Sequence, residues 1–210
     1  MNKKGILTVV SGFSGAGKGT IIKELMKNYD DYWLSISATT REPRNQEQHG
    51  QHYFFTEKAE FERMIAEDEL IEYATYLDNY YGTPKRYVEQ KLEEGKHVIL
   101  EIEIQGAHKV REKYKDALLI FVTPPQVCQL AERLEKRGTE TREAIQKRLL
   151  KAVEEVSAIS KYDYILVNDD LQECVRSLHE IVRNDHKRIF RNMDLLKQLK
   201  KELNKYSGGE

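Results

Sequence analysis

A glycine-rich loop near the amino terminus constrains the fold of this chain more than any other feature. Residues 12–18 read Gly-Phe-Ser-Gly-Ala-Gly-Lys, directly after an apolar run (6–11) and directly before a helical pattern that begins at Ile21. Glycines permit a tight turn whose backbone N–H groups point at a phosphate, and the helix that follows adds its dipole. Lys18 adds a positive charge. The sequence therefore predicts a phosphate-binding loop (P-loop) that holds a nucleoside triphosphate. A glycine turn that binds nothing is the alternative.

Short apolar runs alternate with helical patterns along most of the chain. The runs are rich in β-branched residues, are flanked by turn or cap residues, and cover residues 6–11, 98–104, 118–122 and 164–167. This alternation is typical of βα units that build a parallel sheet covered by helices. We therefore expect an α/β fold.

Two stretches interrupt the alternation. Residues 35–83 combine short alternating segments with one helical pattern, which predicts an inserted lobe; Thr83 is expected to cap the next helix and Pro84 to occupy its first turn. Residues 125–160 contain two arginine-rich helical patterns, which predict a mobile cover. The remaining segments are assigned to the core (1–34, 84–124 and 161–189) and to a C-terminal helical tail (190–210).

The residue after Lys18 departs from the usual P-loop. Gly19 stands where a serine or threonine hydroxyl ordinarily binds magnesium, and Thr20 follows it. Mg²⁺ accepts a shell made largely of water and phosphate oxygens. We therefore expect Mg²⁺ to be held mainly by water and phosphates, with Thr20 an open candidate for a direct ligand.

Two arginines three residues apart indicate a second anion site. Arg41 and Arg44 end the strand-like run 35–44. Two guanidinium forks on one turn suit a dianionic phosphomonoester, and the hydroxyls of Tyr53 and Tyr81 would complete the cage. A solvated surface pair is the alternative.

Several of these segments resemble the guanylate kinases, a family of nucleoside monophosphate kinases with a P-loop NTPase fold. The resemblance runs from about residue 5 to about residue 185, and its motifs are Gly-Lys-Gly-Thr (17–20), Ser-Ile-Ser-Ala-Thr-Thr-Arg-Glu-Pro-Arg (35–44) with Glu47, Gly50 and Tyr53 after it, Leu-Ile-Glu-Tyr (70–73), Asn-Tyr-Tyr-Gly-Thr (79–83), Leu-Glu-Ile-Glu-Ile-Gln-Gly-Ala (100–107), Arg-Leu-Glu-Lys-Arg-Gly-Thr-Glu (133–140) and Val-Asn-Asp-Asp (167–170). It implies an enzyme that moves the γ-phosphate of MgATP onto GMP, and onto dGMP. It also implies a GMP-binding lobe (35–83) and a helical lid (125–160) on a parallel sheet flanked by helices.

The resemblance assigns roles residue by residue. GMP phosphate falls to Arg41, Arg44, Tyr53 and Tyr81, and the base to Ser37, Glu72, Thr83 and Glu103, with Glu101 beside them. ATP falls to Gly12, Phe13, Ser14, Gly15, Ala16, Gly17, Lys18, Gly19, Thr20, Arg133, Arg137 and Asn168. Lys18, Arg41, Arg137 and Arg148 are expected to neutralise the transferring phosphoryl group. For the lid arginines the alternative is surface ion pairing, and for Asn168 it is a helix cap, with Asp170 and Glu173 forming part of a capping box.

Chemistry independently makes Glu72 a suitable purine selector. Guanine presents N1–H and the 2-amino group side by side, so one carboxylate accepts both, whereas adenine turns a lone pair towards it. The alternative is a solvated carboxylate. Glu103 departs from the aspartate common in the family, which leaves its direct role open; Glu101 keeps the family's identity and is expected on the same strand face.

Composition limits the other partners. The formal net charge is −1, so no global field would attract nucleic acid or an anionic membrane. Cys128 and Cys174 lie far apart without metal-ligand spacing, which fits a reducing, cytoplasmic setting. The tail places five apolar residues on one helical stripe, Ile189, Met193, Leu196, Leu199 and Leu203. We expect this stripe to dock on the protein's own core; a homodimer contact and a membrane-surface helix are the alternatives. Two rival functions are a guanylate-kinase-like module that binds phosphopeptides without catalysis, and a kinase for another nucleoside monophosphate.

Overall fold

The computed structural model of the chain describes residues 4–44, 47–76, 78–130, 132, 146, 150 and 152–207. Its strands are β1 (Leu7–Gly12), β2 (Tyr32–Leu34), β3 (Ala38–Thr39), β4 (Phe54–Phe55), β5 (Leu70–Tyr76), β6 (Asn79–Pro84), β7 (His97–Glu101), β8 (Leu118–Thr123) and β9 (Tyr164–Val167). Its helices are α1 (Lys18–Asn28), α2 (Lys58–Ala66), α3 (Lys85–Glu93), α4 (Ile104–Lys113), α5 (Leu171–Asp185) and α6 (Met193–Ser207). Short 3₁₀ helices cover Val156–Lys161 and Ile189–Asn192.

Strand β1 lies at the centre of a parallel sheet. Within the described residues the strand order is β2-β7-β1-β8-β9, and every neighbouring pair runs parallel. Parallel neighbours need crossover connections, which here include helices. The carboxyl ends of these strands therefore lie along one edge of the sheet. The expected α/β class, with a parallel sheet flanked by helices, is confirmed.

Helices cover both faces of this sheet because successive side chains of a strand point to opposite faces. Val10 belongs to the cluster packed under α1 and α5, whereas Val9 belongs to the cluster under α3 and α4. Each helix contributes a stripe of buried residues three or four positions apart. These are Ile21, Ile22 and Leu25 on α1, Val88 and Leu92 on α3, Ala107 and Val110 on α4, and Val175, Leu178 and Val182 on α5.

A second sheet forms from the segment between β2 and α3. Its order is β4-β3-β6-β5, with β6 antiparallel to both of its neighbours. It has its own small hydrophobic cluster, made of Ala38, Phe61 from α2, and Leu70. The lobe is therefore a separate layer that joins the main body through strand β5, whose Ile71 is buried in the larger core.

Most predicted strands of the main sheet are confirmed to within one residue, but two details differ. The predicted strand 98–104 ends early: β7 stops at Glu101, and Glu103 is the N-cap of α4. The reason is that the Ser11 hydroxyl donates a hydrogen bond to the carbonyl of Ile102 at 2.8 Å, where a strand partner would otherwise donate. Glu101 and Glu103 therefore do not share a strand face. Strand β2 was missed because three residues are too few to show a period.

Thr83 does not cap the next helix as expected. Strand β6 continues through Pro84, which is the N-cap of α3, and no side chain caps that helix at this position. The Thr83 hydroxyl instead donates to Glu72, which is described with the candidate site.

The expected docking of the C-terminal stripe on the core is wrong. Ile189 is 68% exposed and Leu203 is 65% exposed, and the other apolar residues of this stripe are also at the surface. What fixes the start of the tail is polar: buried Asp185 accepts from Nε of Arg191 at 2.6 Å and from Nη1 of Arg188 at 3.3 Å. The homodimer contact through α6 stays a prediction. None of the helices in the described part of the chain has the length and apolar character needed to span a bilayer.

His97 holds the main sheet at the amino-terminal ends of its strands, opposite the P-loop. Its ring is buried, and its Nδ1 accepts a hydrogen bond from the backbone N–H of Ile6 at 3.2 Å. The proton is therefore on Nε2, which faces Asp31 at 3.6 Å. Burial lowers the pKa of His97 from 6.5 to about 4, against the raising effect of Asp31. The fold thus requires this imidazole to be neutral.

Protonation of His97 is expected to destabilise the fold in mild acid. Because the folded pKa lies below the unfolded one, its stabilising contribution is complete above pH 6.5 and is lost as the pH falls towards 4. The expected loss is about 2 kcal/mol by pH 5. Urea denaturation at pH 7 and pH 5 measures it. His97→Gln should show a correspondingly smaller drop between the two pH values, whereas His52→Gln, in an exposed loop, should behave as wild type. Equal drops in all three proteins would contradict the assignment.

Candidate active site

The half of the site expected to bind the phosphate donor lies at the carboxyl ends of the strands of the main sheet. The P-loop leaves β1 at Gly12, where a Cβ would lie 2.2 Å from the carbonyl oxygen of Val122 on β8. Glycine is therefore required by the neighbouring backbone. Gly15 and Gly17 have φ values of 88° and 92°, in the left-handed region that favours glycine. The order of strands reverses at β1, which is where ligands bind in open α/β sheets.

The loop has the form expected of a phosphate cradle. Gly17 is the N-cap of α1, so no capping side chain covers the amino end of that helix. Lys18 folds back over the loop, and its Nζ donates to the carbonyl of Gly12 at 2.8 Å and to that of Phe13 at 3.3 Å. The buried ring of Phe13 packs edge-on against Phe121, with ring centroids 4.9 Å apart, and anchors the loop on the sheet. These residues fit a bound triphosphate through backbone N–H groups and one lysine.

Asn168 lies against the P-loop and does not cap a helix. Its side chain is buried, and Nδ2 donates to the carbonyl of Ala16 at 2.8 Å. Asp170 is the N-cap of α5 instead, since it accepts from the N–H of Glu173 at 2.9 Å. The hydrogen bond that the Asp170 side chain contributes to the expected capping box is thus present. The alternative that Asn168 caps a helix is wrong. Contact between Asn168 and adenine stays a prediction.

Glu101 lies between the two halves of the site. A Cβ on Gly19 would be 3.6 Å from its Oε2, so the carboxylate borders the first turn of α1. The same negative charge acts on Tyr53, whose pKa is raised first by burial, then by Tyr81, with Glu101 acting in the same direction. Thr20 is exposed on that first turn, beside the lysine. Glu103 is exposed at the start of α4.

The half of the site expected to bind the phosphate acceptor is an arginine cluster, made of Arg41, Arg44, Glu47, Tyr53 and Tyr81. Nη2 of Arg41 donates to both carboxylate oxygens of Glu47, at 3.0 and 2.9 Å, while Oε2 of Glu47 accepts the backbone N–H of Arg44 at 2.8 Å. The guanidinium lies 5.5 Å from the ring centroid of Tyr53, and the rings of Tyr53 and Tyr81 are 6.1 Å apart. The structure thus brings Arg41, Tyr53 and Tyr81 together, and burial keeps the Tyr53 hydroxyl protonated as a donor.

Glu47 has no role predicted from the sequence, but the structure makes it a functional candidate. It is held by Arg41 and by the backbone of Arg44, and the hydrogen bond from that backbone is the main cause of the lowered pKa of its carboxyl group. It therefore orients the turn that carries both arginines. A carboxylate six residues after an arginine is too common a pattern to have signalled this.

Glu72 is buried, so the solvated alternative is wrong. Its Oε1 accepts the hydroxyl of Thr83 at 2.8 Å, and both residues are less than a tenth exposed. Burial raises the pKa of Glu72, while Thr83 and Lys109 lower it. A buried carboxylate needs hydrogen-bond partners, and one from the chain leaves further acceptor capacity for a ligand.

The remaining candidates are less defined. Ser37 contributes its carbonyl to the second sheet by accepting the N–H of Phe54, and the Arg44 side chain is exposed. The lid arginines Arg133, Arg137 and Arg148 fall outside the described residues. In the part of the chain that the structure describes, no group of three or more His, Cys, Asp or Glu side chains could hold a metal. All residue roles at this site stay predictions.

Known proteins resemble this chain in sequence and in fold. The guanylate kinase family profile matches residues 4–185. The chain is 48% identical to the guanylate kinase of Caldanaerobacter subterraneus subsp. tengcongensis, over 96% of this chain and 98% of that protein, and 46% identical to that of Latilactobacillus sakei subsp. sakei, over 95% and 98%. The solved guanylate kinase from Anaplasma phagocytophilum has a TM-score of 0.73 at 30% identity, covering 93% of this chain and 94% of its own. The chain belongs to the guanylate kinase family of enzymes.

Proposed function

We propose that this protein transfers the γ-phosphoryl group of MgATP to GMP, and to dGMP, giving ADP and GDP or dGDP. The observation that carries the proposal is the buried carboxylate of Glu72, placed by Thr83 in a lobe whose other feature is an arginine cluster. A buried acceptor of this kind selects a base that offers two adjacent donors, as guanine does. The arginine cluster suits the phosphate at the other end of the same nucleotide.

The donor half fits the triphosphate of ATP. The glycine loop and the amino end of α1 offer backbone N–H groups to phosphate oxygens, and Lys18 would exchange its two carbonyl contacts for phosphate contacts when ATP binds. Asn168 would keep the loop in shape through Ala16. Mg²⁺ would be held mainly by the phosphates and water, with Thr20 as a candidate hydroxyl, and it supplies charge neutralisation when bound.

Transfer requires alignment and charge neutralisation more than covalent catalysis. An oxygen of the GMP phosphate attacks the γ-phosphorus in line, a new P–O bond forms, and the bond to the β–γ bridging oxygen breaks, so that ADP leaves with the electron pair. No general base is needed because the acceptor is already an anion near neutral pH. Lys18 and Arg41, with Arg137 and Arg148 of the lid, would neutralise the transferring group.

A coupled assay of ADP release tests the proposed function. GMP, dGMP, AMP, UMP and CMP are offered separately with MgATP, and turnover is expected with the two guanine nucleotides. We also place the activity in the cytoplasm, since Cys128 and Cys174 are both free thiols, as in a reducing compartment. Turnover with AMP, UMP or CMP but not with GMP would contradict the proposal. So would a lack of turnover with all five nucleotides.

Removing the P-loop lysine should separate the two halves of the site. Lys18→Ala is expected to lower kcat by about 10²-fold or more, because the charge on the transferring phosphates is lost, while calorimetry should show GMP binding nearly unchanged. Lys23→Ala, an exposed lysine on the same helix, is the control and should keep both properties. Loss of GMP binding by Lys18→Ala in the absence of ATP would show that the two halves are wrongly divided.

A substitution in the turn that carries Arg41 and Arg44 should show the reverse pattern. Arg44→Ala is expected to raise the KM for GMP by about tenfold or more, because one charged partner of the phosphate is lost, and to leave the KM for ATP unchanged. Arg86→Ala, on helix α3, serves as the control. Initial-rate kinetics with each substrate varied in turn provides the measurement. A change confined to ATP would refute the assignment of this turn to GMP.

Glu72→Gln should cost much of the base specificity. An amide offers one acceptor in place of two, so the transition-state binding of GMP should weaken by about 1–3 kcal/mol. AMP should lose far less, since the amide N–H can turn towards N1 of adenine. The measured quantity is the ratio of kcat/KM for GMP to that for AMP, at one magnesium concentration, after circular dichroism confirms the fold. Glu62→Gln, an exposed carboxylate in the same lobe, should leave the ratio unchanged. An unchanged ratio in folded Glu72→Gln would remove the selector role.

A further inference from the structure

The second carboxylate oxygen of Glu72 lies against a glycine in helix α4. While Oε1 accepts the Thr83 hydroxyl, Oε2 is so close to Gly106 that a Cβ on this residue would lie 2.8 Å from Oε2 and 3.3 Å from Cδ. Real Cβ atoms do not approach an oxygen this closely. The absence of a side chain at position 106 therefore makes the space in which the carboxylate sits.

The backbone gives no other reason for glycine at this position. Gly106 lies within α4 (Ile104–Lys113), and it is not among the glycines whose φ lies in the left-handed region. Glycine is among the least favourable residues in a helix interior, and alanine is the most favourable. Local conformation therefore favours alanine, and the contact with Glu72 opposes it.

A second side chain also approaches this point. The Cδ1 atom of Ile102 would lie 3.2 Å from the added Cβ, so the end of this flexible, half-buried side chain would have to shift by a few tenths of an ångström. The carboxylate of Glu72 is more constrained, because moving Oε2 away from α4 also moves Oε1 away from Thr83. A side chain at position 106 would therefore displace the carboxylate.

We propose that Gly106 is a specificity-determining residue that positions Glu72 for recognition of the guanine base. It touches no substrate and acts through the carboxylate. The proposal rests on the proposed role of Glu72 as selector. It assigns a function to a residue of α4, which is part of the main body and not of the lobe that carries Glu72 and Thr83.

Gly106→Ala is the direct test. The variant should raise the KM for GMP by about tenfold or more, leave the KM for ATP unchanged, and lower the GMP-to-AMP ratio of kcat/KM. Its midpoint of thermal unfolding should not fall much, since alanine favours the helix. Glu112→Ala, an exposed position on the same helix, is the control and should leave both KM values unchanged.

A shorter carboxylate separates positioning from a general structural effect. Glu72→Asp withdraws the charge from α4 by about one bond length, roughly 1.5 Å, and so makes room for a Cβ at position 106. Adding Gly106→Ala to Glu72→Asp should therefore change the KM for GMP by less than about twofold, whereas the same substitution in the wild type changes it tenfold. If the single Gly106→Ala variant fails to fold, the KM for GMP of Glu72→Asp with and without Gly106→Ala still tests the proposal, since an about tenfold difference between these two would overturn it.

The outcomes are distinguishable. An unchanged KM for GMP in folded Gly106→Ala, with a reduced base ratio in Glu72→Gln, would overturn the positioning role and leave the selector in place. An equal loss from Gly106→Ala in the wild-type and Glu72→Asp backgrounds would also overturn it. An unchanged base ratio in Glu72→Gln would overturn the selector itself, and the role of Gly106 with it.

Discussion

Strand β1 is hydrogen-bonded on both sides, to β7 and β8, and its carboxyl end is so close to Val122 that position 12 has no room for a side chain. The direction in which the chain leaves the sheet is fixed by this crowding. From there the P-loop leads into α1. Asn168 follows the edge strand β9 and donates a hydrogen bond to the carbonyl of Ala16. The phosphate cradle is thus an extension of the sheet, and its shape depends on pairing between strands that are far apart in sequence.

The main body could be predicted from the sequence because its signals are local. A buried strand, a glycine loop and a lysine at the start of a helix are contiguous along the chain, so the P-loop and most strands of the parallel sheet were predicted in place. Pairing between distant residues was not accessible in the same way. The end of β7 depends on the Ser11 hydroxyl, ninety-one positions from its acceptor, and Thr83 was assigned to a helix cap because its bond to Glu72 has no sequence signature.

The acceptor lobe illustrates how the cost of a buried charge is offset. Taking an isolated carboxylate out of water is expensive, and Glu72 is stabilised by a hydroxyl from β6 on one side, while Gly106 of α4 leaves space for its other oxygen. The positive charge of Arg41 is offset in a similar way by the carboxylate of Glu47. The arginine pair and the family resemblance suggested Arg41 and Glu72 as candidates. Their burial and their partners followed from the second sheet, whose short strands are only weakly indicated by the sequence.

The two sheets differ in how much apolar surface holds them together. The lobe's own cluster has Ala38, Phe61 and Leu70 at its centre, whereas the main sheet is packed on both faces by four helices. Regions with few buried apolar contacts open locally at a lower free energy than the core does. The backbone amides of β3 and β4 should therefore exchange with deuterium well before those of β1 and β8. Strand β5, which gives Ile71 to the larger core, should exchange at an intermediate rate, as the boundary between two cooperative units.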